Sequence, residues 1–328
     1  SRDSPTSAAP EDATFSTQNV YRTPSAYIAA LIADLPAEEQ LTRDQSLFMA
    51  RFAQCCDAAW EDESKPPSER RVHHLLLLGQ GGSGKTHVVQ KLVFKAVQFI
   101  WPKNSDAEQT LMVVASSNAQ AKNISTPDTR ARTIHNASGM RVQKLTNDLM
   151  RPGNKQASLT RTWDHVRVLV IEECSMVAAA WYNMLDVRSM HGRSRTYDVC
   201  EGNYKKPHHH FGRIPIVIHL GDFLQLTPTA NISLIQDVNE RDADGNYKFP
   251  EPPSLEVQHA IKVFGSIPHI FELRGTKRFK VGDPLIELLG CMRAGSRIPE
   301  GTWKAFERTF ATDRAGTLDP RHRSDKFL

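Results

Sequence analysis

The chain has 328 residues, 40% hydrophobic and 24% charged, enough apolar material for the core of one large domain or two modest ones. Its longest apolar run lies around residues 75–78, far short of the roughly 18 residues that cross a bilayer, so no membrane segment is expected. The net charge of +4 with a pI near 8.8 suits a polyanionic partner without requiring one, and five scattered cysteines with no C-x-x-C pair argue against a disulfide framework or structural zinc.

Residues 1–24 are rich in Ser, Thr, Pro and Ala and lack apolar periodicity, which predicts a disordered tail. The chain opens Ser1-Arg2-Asp3 with no methionine and no signal pattern, and so reads as a soluble fragment or processed product. Reduced cysteines point to an intracellular location. From Ser25, a plausible cap, the spacing of Ala26, Ile28, Leu31, Ile32 and Leu35 predicts a helix. Thr42 is placed to cap a second, carrying Leu47, Phe48, Phe52 and Ala53. A charged, Pro-containing stretch at 61–71 comes next as a surface connection. Short apolar runs then recur at 75–78, 111–115, 166–171, 214–220 and 269–273. Runs of strand length, nearly continuous in apolar residues, are the mark of a parallel sheet covered on both faces, so the fold class is α/β.

Gly79-Gln80-Gly81-Gly82-Ser83-Gly84-Lys85-Thr86 fits G-x-x-x-x-G-K-[ST] and comes directly after the first run. Behind it Val88, Val89, Leu92, Val93, Ala96 and Val97 form a helical face. Strand, glycine loop and helix together predict a nucleotide site: backbone N–H groups face the phosphates and the helix N-terminus adds positive potential. Lys85 is expected at the β- and γ-phosphates and the Thr86 hydroxyl on Mg²⁺. The apolar run at 166–171 ends in Glu172-Glu173, where one acid holds the metal and the next orients or deprotonates the attacking water. The run at 214–220 leads into Gly221-Asp222-Phe223-Leu224-Gln225, where the Gln225 amide can hydrogen-bond a γ-phosphate and report its loss or, taken alone, is a surface polar residue. Two polar inserts, 140–158 and 191–211, interrupt the pattern. The second contains His208-His209-His210, which reads as metal ligands or, for want of a nearby fourth ligand, as a solvated loop.

Taken in order, these segments resemble the superfamily-1B DNA helicases of the Pif-one and RecD type, from about Leu41 to Gly295. Leu41-Thr42-Arg43-Asp44-Gln45 is similar to that family's adenine-reading segment, which makes Gln45 the base-contacting amide or, on spacing alone, a helix-surface glutamine. Val114 to Ala121 and Thr133-Ile134-His135 resemble its single-strand-contacting segments and put Ser117 and His135 on DNA; here Ser117 and Asn118 replace the usual threonine and glycine. Glu172-Glu173-Cys174-Ser175-Met176 is similar to Asp-Glu-Ile-Ser-Met, and Gly221 to Pro228 to Gly-Asp-Phe-x-Gln-Leu-Pro-Pro. Arg278, in Lys277-Arg278-Phe279, falls where a phosphate-contacting arginine belongs, or is a surface cation at a helix start.

The resemblance implies a P-loop, RecA-like motor domain at 25–295 that uses ATP and Mg²⁺ on single-stranded DNA, moves 5′-to-3′, and serves DNA repair, recombination or telomere maintenance. The stretch 140–158 would be a wedge, and 296–328 the start of a second motor domain that the chain does not contain. The polypeptide alone is therefore expected to bind ATP and hydrolyse it slowly without unwinding a duplex. Two rival readings remain at this point: a P-loop ATPase acting on protein, and an inactive mobile-element relic that binds nucleotide or DNA.

Overall fold

The computed structural model describes residues 21–103, 109–139, 154–193, 210–228, 232–236, 244, 253–275 and 282–305. Contacts divide the chain into two units, one of residues 1–78 with 85–272 and one of 79–84 with 273–328. In this division the glycine loop falls with the residues beyond the last strand.

The larger unit opens with a helix, Pro24–Ala33 (α1), whose cap is Thr23 and not Ser25: the Thr23 side chain accepts from the Ala26 N–H, and Pro24, which has no N–H to satisfy, takes the first helical position. Arg43–Glu61 (α2) is capped by Thr42 as its sequence predicts. Its apolar stripe, Phe48, Met49, Phe52, Cys55, Cys56 and Ala59, is buried. The connection after it is more ordered than its charge suggests. Asp62, buried at the helix end, takes Arg71 at 2.9 Å and Lys65 at 2.8 Å.

The sheet strands are His73–Gly79 (β1), Leu111–Ala115 (β2), Arg132–Thr133 (β3), Val168–Glu172 (β4), Ile216–Gly221 (β5) and His269–Leu273 (β6), in the order β3-β2-β4-β5-β1-β6. The pairings from β3 across to β1 are parallel. Between the strands run Lys85–Val88 (α3), a π-helical turn Val89–Val93, Phe94–Ile100 (α4), Asn118–Ile124 (α5), Ile134–Ala137 (α6), Asn154–Trp163 (α7), Ala179–Arg193 (α8) and Leu255–Gly265 (α9). The expected insert 140–158 therefore ends inside α7, and the expected insert 191–211 begins inside α8; residues 140–153 and 194–209 lie outside the described residues.

Side chains alternate across a strand, and both sets are buried here. Leu76, Met112, Val114, Leu169, Ile171 and Val217 share one core with Trp163, Tyr182, Phe211 and Phe264 from the α7–α9 side. The alternate set, Leu75, Leu77, Val113, Val168, Val170, Ile216 and Ile218, is buried on the opposite face, where α2 and α4 pack. Covering on both faces is why these strands read as continuous apolar runs. No described helix is long and apolar enough to cross a membrane. In the smaller unit Pro284–Ala294 (α10) is capped by Asp283, and Gly295 at φ 61° ends it in the left-handed region that glycine adopts without strain.

Candidate functional site

The glycine loop has the geometry its composition demands. Gly82 and Gly84 sit at φ 83° and 93°, where a Cβ is strained, and the Ser83 N–H donates to the Gln80 carbonyl at 3.1 Å to close the turn. Its last residue leads directly into Lys85, the first residue of α3.

Within the larger unit the strand register lines up the chemistry. Thr133, Ala115 and Glu172 are partners across β3, β2 and β4, and Ile171 pairs with His219. The segments carrying Ser117, His135, Glu173 and Asp222 therefore all leave the carboxyl ends of parallel strands, the edge where open α/β sheets bind ligands. Lys85 and Glu172 are buried there, and the Thr86 hydroxyl donates to Glu172 Oε1 at 3.4 Å. Glu173 adopts φ 49°, ψ 52°, a left-handed conformation that costs a non-glycine residue energy and is found mainly where the surroundings impose it. Burial raises the Glu172 pKa to about 7, helped by the Glu173 charge and opposed by Lys85 and the Thr86 hydrogen bond. Burial also raises Glu173, with Asp222 acting the same way and Lys85 against it.

Each acid keeps one oxygen, Glu172 Oε2 and Glu173 Oε2, buried and without a hydrogen-bond partner. Buried carboxylate oxygens are normally satisfied, so this pair fits an arrangement completed by a hard cation and its water. Thr86 and Glu172 are the side chains that would hold Mg²⁺, and the glutamate at 172 in place of aspartate reaches the Thr86 hydroxyl.

Gln225 does not stand alone. Its Nε2 donates to Asp222 Oδ2 at 2.9 Å, while Asp222 Oδ1 accepts from the Leu224 N–H at 3.1 Å. Asp222, buried at the end of β5, holds the Gln225 amide, a contact that no spacing announced. Gly221 matters through close approach: a Cβ there would lie 2.8 Å from Cys174 Sγ and 3.3 Å from the Ser175 nitrogen, so a side chain would push on the segment that positions Glu173.

Ser117 caps α5 by accepting from the Gln120 N–H at 3.3 Å. Gln120 also bonds Ser116 Oγ and donates to Met176 Sδ at 2.8 Å, tying the expected DNA segment to the acidic one. The His135 ring lies 3.8 Å from Trp181, its Nε2 is buried without a partner, and burial lowers its pKa, so it is a neutral ring fit for stacking. Trp181 went unnoticed in the sequence because an aromatic in a helix reads as core. Gln45 is nearly fully buried, and its Oε1 accepts from the Thr42 N–H at 2.9 Å in a capping box. In this state the carbonyl end of the expected base-reading amide serves the helix. Arg278 lies outside the described residues.

The family model of the PIF1-like helicases matches residues 64–239, more than half of the 328-residue chain. The chain belongs to this family. It is similar to the ATP-dependent DNA helicase PIF1 of Saccharomyces cerevisiae, 25% identical over 249 residues that cover 76% of this chain and 24% of that protein. The helicase of the same name from Candida albicans is 28% identical over 240 residues, 71% of this chain and 22% of that one. A solved structure of Pif1 helicase from Candida albicans aligns with TM-score 0.52 and 22% identity over 82% of this chain and 47% of the other, a likeness of fold. The chain spans about a quarter of the length of the curated relatives it matches.

Proposed function

We propose that this chain is the ATP-hydrolysing motor domain of a DNA helicase that tracks single-stranded DNA. The observation that carries the reading is the acidic pair: two buried carboxylates, each with an unpartnered oxygen, grouped with Lys85 and Thr86 at the end of a parallel strand. Family membership and the curated relatives' printed names support the same activity.

In this reading the loop cradles the phosphates and Lys85 neutralises charge that develops on the transferred group. Glu172 and Thr86 would hold Mg²⁺, which would supply electrostatic stabilisation of the phosphate oxygens. Glu173 takes the proton of the attacking water; its raised pKa makes it a better base than an exposed glutamate. Gln225, aimed by Asp222, reports whether the γ-phosphate is present. Arg278 adds charge from the segment after β6. Ser117 and His135 touch the DNA, His135 by stacking. Movement in the 5′-to-3′ direction, service in DNA repair, recombination or telomere maintenance, and a nuclear or mitochondrial location if the source is eukaryotic are parts of the proposal that rest on the resemblance.

The test is ATP hydrolysis with and without single-stranded DNA, alongside Lys85→Ala. Turnover that DNA stimulates several-fold and that Lys85→Ala abolishes is the expected result. Turnover indifferent to DNA overturns the DNA-tracking reading in favour of an ATPase acting on protein, and no turnover in the parent leaves a nucleotide-binding relic.

A further inference from the structure

On the α8–α9 face the fold brings together three side chains that are far apart in the chain. Asp186 of α8 is buried, His210 opens the turn before β5, and His259 lies on α9. One ligand atom from each lies within 4.8 Å of the others. His210 Nδ1 is 3.5 Å and His259 Nε2 3.4 Å from the same oxygen, Asp186 Oδ2. The other oxygen, Oδ1, accepts from the Phe211 N–H, so the carboxylate is held with Oδ2 towards both imidazoles.

These lengths are informative. A charge-assisted N–H···O bond settles at about 2.7–2.9 Å. A tetrahedral zinc site with bonds of about 2.0–2.1 Å separates its ligand atoms by about 3.3–3.4 Å, the edge of the tetrahedron. Both contacts match that edge better than they match a hydrogen bond. The turn that presents His210 is strained and firmly held: Phe211, Gly212 and Arg213 all have positive φ, at 50°, 60° and 57°. The Phe211 ring packs 5.3 Å from Tyr182, Arg193 Nε donates to the Gly212 carbonyl at 2.7 Å, and Arg213 reaches the Ser68 and Arg70 carbonyls at 2.8 and 2.7 Å. His210 and His259 keep 26% and 20% of their side-chain surface exposed, which leaves an approach for an ion and a water.

We propose that Asp186, His210 and His259 bind a divalent transition metal of the zinc class, with water as the fourth ligand, clamping α8, the turn before β5 and α9 together. Two imidazoles and one carboxylate suit zinc or its neighbours and disfavour Mg²⁺ and Ca²⁺, which take oxygen ligands. The proposal is independent of the nucleotide site.

The test uses the whole chain, stripped of metal and titrated with Zn²⁺ and separately with Co²⁺, whose ligand-field spectrum reports coordination geometry. One equivalent bound, with a tetrahedral cobalt spectrum, is expected for the parent. His259→Ala and His210→Ala should each weaken binding at least ~10-fold, since even loss of a supporting contact costs a metal site that much. A His208→Ala, His209→Ala double variant serves as the control for adventitious binding by the neighbouring histidines and should bind as the parent does. Failure of the parent to bind either ion stoichiometrically overturns the proposal, and that readout does not depend on any variant folding. Binding that survives His259→Ala, or that vanishes only in the control, overturns it as well.

Discussion

Glu173 shows how much a single residue can concentrate: a left-handed backbone, an unpartnered buried oxygen and a raised pKa occur together at one position. Glu173→Gln keeps the volume and removes the base, so ATP turnover should fall by about 100-fold or more while nucleotide affinity is retained. Steady-state turnover beside a direct nucleotide-binding titration checks both halves. Gly221 offers a subtler probe. Adding a methyl 2.8 Å from Cys174 Sγ overpacks a fully buried spot, which costs about 1–3 kcal/mol. Gly221→Ala should therefore lower both stability and turnover, and Cys174→Ala in the same chain should recover much of the loss. A double-mutant cycle by chemical denaturation tests this; simple additivity would mean that the two side chains do not compete for the same space.

At the scale of elements, Gln45 holds two candidate jobs that one substitution separates. Glutamate is as good as glutamine at the third position of a capping box, but it lacks the amide donor that an adenine edge requires. Gln45→Glu keeps the capping acceptor but puts an ionisable acid in a nearly fully buried position, so it should lower thermal stability at neutral pH, and it should raise the KM for ATP about 10-fold, the worth of a hydrogen bond of roughly 1.4 kcal/mol. An unchanged KM would assign Gln45 to the helix alone. Physics decides which elements were legible in the sequence. Strands buried on both faces announce themselves as apolar runs, whereas β3, two half-buried polar residues long, has no pattern to announce. The phosphate loop is a local motif and was legible whole. The αL turn at Glu173, the Asp222 bond to Gln225 and the meeting of Asp186 with His210 and His259 depend on chain segments that only folding brings together.

For the whole molecule, burial has left histidines uncharged in the interior. His219, between the Tyr182 hydroxyl and the Leu75 carbonyl, has its pKa lowered to about 3, chiefly by burial and then by His74. His73 is lowered to about 4, again by burial first, with Arg51 and Arg71 adding to it. An unfolded chain takes up these protons near pH 6.5, and the folded one does so only well below that. Between pH 6.5 and about 4 the unfolded state binds more protons, so stability is full above this window and declines on acidification through it, by at most about 1.4 kcal/mol per pH unit for each such histidine. Glu172, raised to about 7, gains stability on acidification over the same range and offsets one such histidine; with His74 also lowered to about 4, three histidines outweigh it and denaturation midpoints should fall from pH 7 to 4.5. His219→Gln, which keeps a neutral polar side chain, should flatten the slope.

The π-helical turn at Val89–Val93 explains a numerical oddity in the residues behind the phosphate loop. The apolar pairs Val88-Val89, Leu92-Val93 and Ala96-Val97 recur every four residues, yet four residues of α-helix overshoot a full circle by about 40°. Left uncorrected, the stripe would drift by about 80° from the first pair to the last and turn the third towards solvent. A wider turn, with more residues per revolution, takes up that excess rotation, and all six side chains are buried. The helix thus carries one residue more than plain α-helix would allow without rotating its downstream face. Deleting the exposed Lys91 should turn the π turn into plain α-helix, whose seven remaining steps between Val88 and Ala96 rotate by about 700°, within about 20° of two full circles, so Ala96, Val97 and Ile100 keep their facing towards the sheet. The deletion should therefore cost little more stability than Lys91→Ala does, whereas deleting Gln90 together with Lys91 should turn that face by about 100° and cost far more, a comparison that thermal denaturation of the three variants makes directly. Across relatives of this chain, single-residue differences in length between the phosphate loop and Trp101 should accordingly coincide with gain or loss of the π turn.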